Sequence, residues 1–437
     1  WSLDAGRNYT NALSMTTGTT EYIYGQEIPV NFKGIWDVAK DQTIQLDLGY
    51  LKEDLKSRDT LNRTEYDNHR FNYSLDYSGK KDKLDWQLRF YGSEYEKNYD
   101  AYRKSTGARV GSDSATNKTN TLEGRVTKSI NDKHLLTGGF EMNFQKLDGT
   151  RILDGGQDSS KYAFYIQDEW TPSEKWLIIP AVRVEKVQDF DASITPRVGA
   201  TYFIRPDMRF KMNLSGGYRT PSLTERYNDW IMASMGPITI RQMGNPNLDA
   251  EKSLAGEIGF EKDWKKSDLQ VRIYRNEVKD LIEGSMTRRT PMRWIASYKN
   301  VDDAILQGVE ITGSHKLTKE IKLRLGYSYL DAYDDNTDER LMGRARNQIT
   351  FGMTYEPEKS PWSVSFDGNY MMDYIYDDGT ADGDNKTFLI FNGIVNRKFG
   401  KDGKGTAYFG VENIFDKKEY DMDYYGRTYV IGVNYKF

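Results

Sequence analysis

The stretch IKLRLGYSY (321–329) decides the fold, because apolar and polar residues alternate along it without a break. Its odd-numbered positions are Ile, Leu, Leu, Tyr and Tyr, whereas Lys, Arg, Gly and Ser stand between them. A period of two places the two sets on opposite faces of a β-strand. The same alternation recurs at 44–50, 84–91, 208–215 and 429–437. The sequence therefore predicts an all-β chain with one apolar and one polar face.

The composition favours a membrane location for this sheet. The chain has 437 residues, including 31 Tyr, 18 Phe and 9 Trp, and a mean hydropathy of −0.76. No run approaches the ~20 apolar residues of a spanning helix. Aromatic residues with one polar end suit a membrane interface. A closed barrel is the remaining way to satisfy every backbone group in lipid.

The connections between strands differ in length on the two sides. Polar turns are expected at 79–83, 130–133, 171–175, 205–207, 264–268, 317–320, 356–360 and 400–404. Longer polar segments alternate with them, at 51–66, 93–116, 149–159, 220–249, 281–303, 331–345, 372–386 and 414–426. Short periplasmic turns and long extracellular loops are typical of outer-membrane barrels. We therefore predict that 1–437 form one antiparallel transmembrane β-barrel of about 22 strands, with one or two strands within 1–36.

Several segments resemble the barrel of TonB-dependent receptors. The principal ones are GYRTPSLTERY (217–227) and GNPNLDAEKSLAGEIGFE (244–261), at the start and end of one long loop. NIFDKKEY (413–420) and YGRTYVIGVNYKF (425–437) resemble the family's C-terminal signature. Four shorter matches are YIQDEW (165–170), TPRVGATY (195–202), YKNVDDAILQGVEI (298–311) and YSYLDA (327–332). The resemblance covers 165–437, whereas 1–164 match by pattern alone.

The resemblance implies energised uptake of a scarce nutrient across the outer membrane of a diderm bacterium. A ferric siderophore is the first candidate, and haem or cobalamin is the alternative. The implied partners are outer-membrane lipid and lipopolysaccharide, a plug domain, and TonB acting through that plug. No segment matches a plug or a TonB box, so the plug is expected to be a separate chain, to have been removed, or to lie outside this sequence. A passive porin is the alternative of a different class.

Catalytic chemistry is not expected. The chain has no Cys and three His, at His69, His134 and His315, which are far apart in sequence. No nucleophile elbow or P-loop is present. The 61 basic and 65 acidic residues are nearly balanced and give no nucleic-acid signal. We therefore predict a transporter that is not an enzyme and that has no resident cofactor.

The ligand site is expected in loops 220–249 and 281–303. Both are long, and long loops on a rigid scaffold carry function. Arginine and aromatic side chains together can hold a flat, anionic, metal-bearing ligand by charge and by face contact. No His lies between Pro221 and Pro246, although Tyr and Met could still bind haem iron. The predicted ligand contacts are Arg241, Arg288, Arg289, Arg293, Tyr227 and Trp230.

Two acidic loops are weaker candidates for a calcium site. DAYDDNTDE (331–339) and DDGTADGDN (377–385) carry closely spaced carboxylates, which calcium accepts as ligands. They lack the spacing of a helix–loop–helix calcium site. The candidate ligands are Asp334, Asp335, Asp338, Asp378, Asp382 and Asp384.

Three further expectations concern the barrel itself. The strand at 427–437 should pair with the strand after Trp1 and close the barrel, and Phe437 should help assembly. Glycines in strands, as at Gly308 and Gly313, should let a neighbouring backbone or the plug approach closely. Because a barrel this wide has a lumen that its side chains cannot fill, charged residues of the polar face should meet the plug. The named examples are Arg89, Arg209, Lys211, Glu257 and Arg324.

Overall fold

The computed structural model describes residues 1–10, 21–235, 238–290, 292–376, 384–419 and 424–435. The first half of the wall consists of β1 (Ser2–Ala5), β2 (Asn8–Thr10), β3 (Glu21–Ala39), β4 (Gln42–Arg58), β5 (Asn62–Lys81), β6 (Leu84–Arg103), β7 (Arg109–Asn131), β8 (His134–Gly149), β9 (Gly156–Ser173), β10 (Trp176–Val187), β11 (Ser193–Arg205) and β12 (Met208–Arg219). The second half consists of β15 (Glu251–Asp263), β16 (Ser267–Thr290), β17 (Arg293–Lys316), β18 (Ile321–Asp334), β19 (Arg344–Tyr355), β20 (Trp362–Tyr376), β21 (Asp384–Phe399), β22 (Gly405–Glu412) and β25 (Thr428–Tyr435).

The remaining elements lie in the longer connections. They are helix α1 (Leu223–Tyr227), strands β13 (Asp229–Met235) and β14 (Ile238–Met243), the pair β23 (Lys418–Glu419) and β24 (Tyr424–Tyr425), and single 3-10 turns at Leu153–Gly155 and Lys401–Gly403. Within the described ranges, no helix has the length and apolar character needed to cross a membrane.

The wall is an antiparallel meander, as the alternation predicted. From β3 onward each wall strand pairs with the next wall strand along the chain, and β12 pairs directly with β15 across the segment that contains α1, β13 and β14. Strands β1 and β2 both pair with β3. Among the described residues the sheet has 23 strands. If β1 and β2 count as one crossing of the membrane and β13 and β14, which lie in a loop, are left out, the sheet crosses the membrane 20 times. The expected number of about 22 is therefore not confirmed.

The predicted closure of the barrel by the C-terminal strand is wrong for the described residues. Here β25 pairs only with β22, and β1 pairs only with β3. Both strands are consequently edges of the sheet, and Ile431 on β25 is 82% exposed. An edge strand leaves backbone groups without partners from a neighbouring strand. Phe437 lies outside the described residues.

The two faces of the sheet have opposite character. Leu254, Ile258 and Ile273 are each more than half exposed and represent the apolar face. On the opposite face, Arg209 donates to Glu261 at 2.6 Å and Arg272 to Glu310 at 2.6 Å. Apolar residues facing outward and polar residues facing inward are what a membrane barrel requires. The five charged residues named above are not tested against a plug, so that contact stays a prediction.

Tryptophan residues collect at the end of the sheet that has the short turns. Trp264 is 52% exposed beside the 264–266 turn, and Trp362 is 49% exposed just after 356–361. The others near short turns are Trp36, Trp86, Trp170 and Trp176. Tryptophan at one level of a barrel is typical of an interfacial girdle. Because short turns lie on the periplasmic side of outer-membrane barrels, this end is the periplasmic one.

Several segments that the sequence predicted as loops are continuous hairpins. The segment 51–66 is strand except for a tip at 59–61, and 93–116 is strand except for 104–108. Strands β16 and β17 each contain 24 residues. A tilted strand crosses the membrane in ~9–11 residues, so more than half of each stands outside it. The polar composition of these segments reflects exposure to water on both faces.

Close backbone approach at two strand glycines is confirmed. A side chain at Gly308 would collide with the backbone oxygen of Tyr329 and would lie 2.8 Å from the hydroxyl oxygen of Tyr274. A Cβ at Gly313 would lie 2.9 Å from the backbone oxygen of Asp268. Gly284, on the same hairpin, has open space where a side chain would stand.

We therefore expect Gly308→Val to destabilise the barrel by about 1–3 kcal/mol, because strands β17 and β18 must separate to admit the side chain. Gly284→Val is the matched control and should change stability by less than ~0.5 kcal/mol. The measurement is the temperature at which the folded barrel loses its faster migration in detergent gels. Equal midpoints for the two variants would contradict the close approach.

Candidate functional site: the extracellular loops

The structure brings the two predicted binding loops into one sheet. Strand β14 pairs in parallel with β17, placing Thr239 opposite Arg293 and Arg241 opposite Ile295. Strand β13 pairs with β14 on its other side, and β16 pairs with β17. We call the combination of 229–235, 238–243, 281–290 and 293–303 the outer sheet. Loops 220–249 and 281–303 therefore form one surface at the extracellular end.

The base of the outer sheet is held by an arginine with two carboxylates. Arg219, at the end of β12, donates to both oxygens of Glu251 at 2.6 Å, at the start of β15. It also donates to Glu225 at 3.1 Å, and Glu225 completes a capping box with Ser222 at the start of α1. Arg219 thus joins both halves of the motif pair that the sequence singled out.

This cluster perturbs the ionisation of its members, which lie beyond the ~10 residues that cross the membrane. Burial raises the pKa of Glu251, but hydrogen bonds from Arg219 and from the backbone N–H of Ile282 outweigh it, so the pKa is lowered. Hydrogen bonds to Glu251 raise the pKa of Arg219. Both groups are therefore held in their charged forms.

We expect the base of the outer sheet to loosen in acid. A carboxyl whose folded pKa is depressed contributes stability above its unfolded pKa of ~4.3, and that contribution is lost as pH falls through the folded pKa. Amide exchange at Ile282, corrected for its intrinsic pH dependence, should therefore accelerate below about pH 4. In Glu251→Gln this acid transition should disappear. A transition that persists unchanged in the variant would assign it to another group.

The two predicted aromatic contacts have different surroundings. Tyr227 ends α1 and packs against a buried cluster of Leu147, Ile152 and Leu223. Trp230 begins the outer sheet on β13, and the Arg151 guanidinium lies 3.8 Å from its ring centroid. Tyr227 therefore helps to anchor the loop, whereas Trp230 is held against Arg151.

The predicted arginines also differ from one another. Arg241 donates to both oxygens of Asp229 at 2.6 Å, so its charge is matched within the outer sheet. Arg289 and Arg293 are exposed near the tip of the β16–β17 hairpin. Among the described residues, neither of them has an ion-pair or hydrogen-bond partner for its side chain. The side chain of Arg288 is outside the description.

A family model described as "TonB dependent receptor-like, beta-barrel" matches residues 4–414. The chain belongs to this family. The receptor barrel is therefore an outer-membrane protein of a Gram-negative bacterium, as the alternation and the motifs predicted. The family consists of receptors and transporters, which agrees with the prediction of a non-enzyme and argues against a passive porin.

Known members of the family resemble the receptor barrel at modest identity. The receptor barrel is 24% identical over 372 residues to the vitamin B12 transporter BtuB of Photobacterium profundum. The match covers 84% of this chain and 57% of that protein. The ferric enterobactin receptor PfeA of Pseudomonas aeruginosa has a TM-score of 0.75 at 16% identity, covering 98% and 73% of the two chains. The copper transporter OprC has a TM-score of 0.78 at 17% identity, covering 100% and 75%. The chain thus spans little more than half of its B12-transporting relative, and the likenesses to solved structures show the fold alone.

The receptor barrel contains one site residue that the sequence did not single out. Arg151 follows β8, where its Nε lies 2.6 Å from the carboxylate of Asp113 on β7. Its guanidinium also donates to the hydroxyl oxygen of Tyr99 at 2.5 Å. The sequence showed only that Arg151 stands in a loop otherwise rich in Gly and Asp. That pattern does not identify the residues that Arg151 contacts.

The calcium prediction is not tested in full. Asp334 accepts hydrogen bonds from the N–H groups of Asn336 and Thr337, so its carboxylate caps the turn. Among the described residues, no group of three acidic or His side chains is arranged to hold a metal. Asp378 and Asp382 lie outside the description, as does the side chain of Asp384.

Proposed function

We propose that this chain is the barrel of a TonB-dependent receptor that captures a ferric siderophore on its outer sheet. The observation that carries the proposal is the parallel pairing of β14 with β17, which joins the loop that carries Trp230 and the hairpin that carries Arg289 and Arg293 in one sheet. Arg289 and Arg293 have charge available for an anionic ligand, whereas Arg241 is matched by Asp229 and serves to hold the surface. Ferric chelates with an anionic, flat exterior suit such a surface.

Transport needs a plug and TonB, as the family implies. The inner face carries matched ion pairs, such as Arg183 with Glu141 at 3.0 Å and with Glu185 at 2.8 Å. Matched charges in the wall leave polar groups for a folded domain to contact without burying an unpaired ion. We propose that a plug domain fills this lumen and transmits the action of TonB.

Cobalamin is the second candidate, since a B12 transporter is among the curated relatives. Its exterior carries neutral amides, so its binding should not depend on the tip arginines. Haem has support only from tyrosine and methionine side chains, for example the half-exposed Met232. The two leading candidates therefore differ in their dependence on charge.

The test is a binding comparison on cells that display the receptor. Ferric enterobactin, cyanocobalamin and haemin are titrated separately, and cells without the receptor serve as the control. We expect saturable binding of ferric enterobactin, at least tenfold tighter than that of the other two. Tighter binding of cyanocobalamin would replace the siderophore by cobalamin, and no saturable binding of any probe would contradict capture of a metal chelate.

A further inference from the structure

Arg151 links the barrel wall to the outer sheet through an unusual set of contacts. One edge of its guanidinium pairs with Asp113 and with the Tyr99 hydroxyl, both on wall strands. Its Cζ atom lies over two aromatic rings, 3.8 Å from the ring centroid of Trp230 and 5.2 Å from that of Tyr99. A planar guanidinium can make edge hydrogen bonds and face contacts at once, which an ammonium cannot.

These contacts are sheltered enough to be strong. The side chain of Asp113 is 14% exposed and that of Arg151 is 31% exposed. Charge-assisted hydrogen bonds are about twice as strong as neutral ones, and partial removal of water strengthens them further. Arg151 is therefore fixed to the wall, and Trp230 is held against it.

The backbone continues the same connection into the outer sheet. The N–H of Asp229 donates to the carbonyl oxygen of Arg151 at 2.7 Å, and Ile152 forms a β-bridge with Asn228. The carboxylate of Asp229 in turn accepts both hydrogen bonds of Arg241 on β14. An unbroken series of contacts thus leads from Asp113 on the wall to β14, which pairs with β17.

We infer that Arg151 is a positioning residue, a latch that fixes the β13–β14 hairpin against the wall and so sets the arrangement of the outer sheet. The role of this arrangement in capture rests on the proposed function, but the arrangement itself does not. Release of Arg151 lets the hairpin move away from the wall while α1 stays anchored by Tyr227 and its buried cluster. Strand β14 stays paired with β17, so the movement is expected at β13, which carries Trp230.

The absence of cysteine makes a direct distance measurement possible. Ser105→Cys on the exposed β6–β7 tip and Met232→Cys on β13 carry a pair of spin labels. We expect one narrow distance distribution in the otherwise unchanged receptor. Arg151→Gln should broaden it, and Arg151→Lys, which keeps the charge but loses the planar face, should broaden it less. Arg205→Gln removes a cation that pairs with Asp207 at 3.6 Å at the periplasmic end of the barrel, and it should leave the distribution narrow.

Ferric enterobactin binding to the same variants separates the latch from the proposed function. We expect Arg151→Gln to weaken binding about tenfold and Arg205→Gln to leave it unchanged. A distance distribution in Arg151→Gln identical to the parent's would overturn the latch, whatever the binding shows. If Arg151→Gln does not fold, Asp113→Asn gives the same test, with a narrow distribution again overturning the latch. Absence of binding in the parent would contradict the proposed function and leave the distances to decide the latch.

Discussion

Replacing Arg288, Arg289 and Arg293 together by alanine is expected to weaken ferric enterobactin binding about 100-fold. Hydrogen bonds to charged groups contribute roughly 1.5–3 kcal/mol each, and ~2.8 kcal/mol corresponds to a factor of about 100. Arg289 and Arg293 are exposed and, in the described part of the chain, have no partner whose loss would destabilise the fold. The midpoint of thermal unfolding should therefore remain unchanged.

The control must separate local contacts from a general change in net charge. Lys319, Lys359 and Lys401 lie in periplasmic turns, so their triple alanine variant makes the same change at the other end of the barrel. Binding is measured at low ionic strength, where charge attraction is least screened. Equal affinities of the two triple variants would remove these arginines from the site.

Arg219→Ala is expected to release the base of the outer sheet and to cost about 2 kcal/mol locally. Removing one partner of a buried ion pair costs ~3–5 kcal/mol. The expected value is smaller because the Arg219 side chain is 46% exposed, although Glu251 is only 13% exposed. Amide exchange at Ile282, whose N–H donates to Glu251, should accelerate about 30-fold.

Arg205→Ala is the matched control for this change. Arg205 forms a single exposed pair with Asp207 at 3.6 Å in a periplasmic turn, and such pairs contribute ~0–1 kcal/mol. Exchange at Ile282 should not respond to it. Unaltered exchange in Arg219→Ala as well would show that the backbone of β15 and β16 holds the base without the arginine.

The strands were predictable from the sequence because a single physical requirement repeats along the whole wall. Each pass must place apolar side chains toward lipid and polar ones inward, which leaves a period of two wherever the chain crosses. The turns were predictable for a related reason, since short polar breaks interrupt that period. The motifs also predicted that 217–227 and 244–261 start and end one long loop, and Arg219 joins the two ends through Glu251.

The extracellular hairpins, the ion pairs of the site and the edges of the sheet could not be predicted from the sequence, because they depend on contacts between distant segments. Hairpins such as 51–66 are exposed to water on both faces, so they lack the alternation of apolar and polar residues that marks a membrane-crossing strand. The engagement of Arg241 by Asp229 and of Arg151 by Asp113 involves single side chains with no periodic signature. The edges at β1 and β25 depend on how many passes the sheet contains, which the ambiguous residues 1–36 left open.

The height of the β16–β17 hairpin has a consequence for encounters at the cell surface. About ten residues of each strand suffice to cross the bilayer, so the remaining residues of these 24-residue strands raise the tip roughly 30 Å above it. Antibodies and phage tail fibres that approach the cell will touch Arg289 and Thr290 before they reach the wall. Substitutions at the tip can therefore change what such molecules recognise, while the lipid-embedded part of the protein stays as it is.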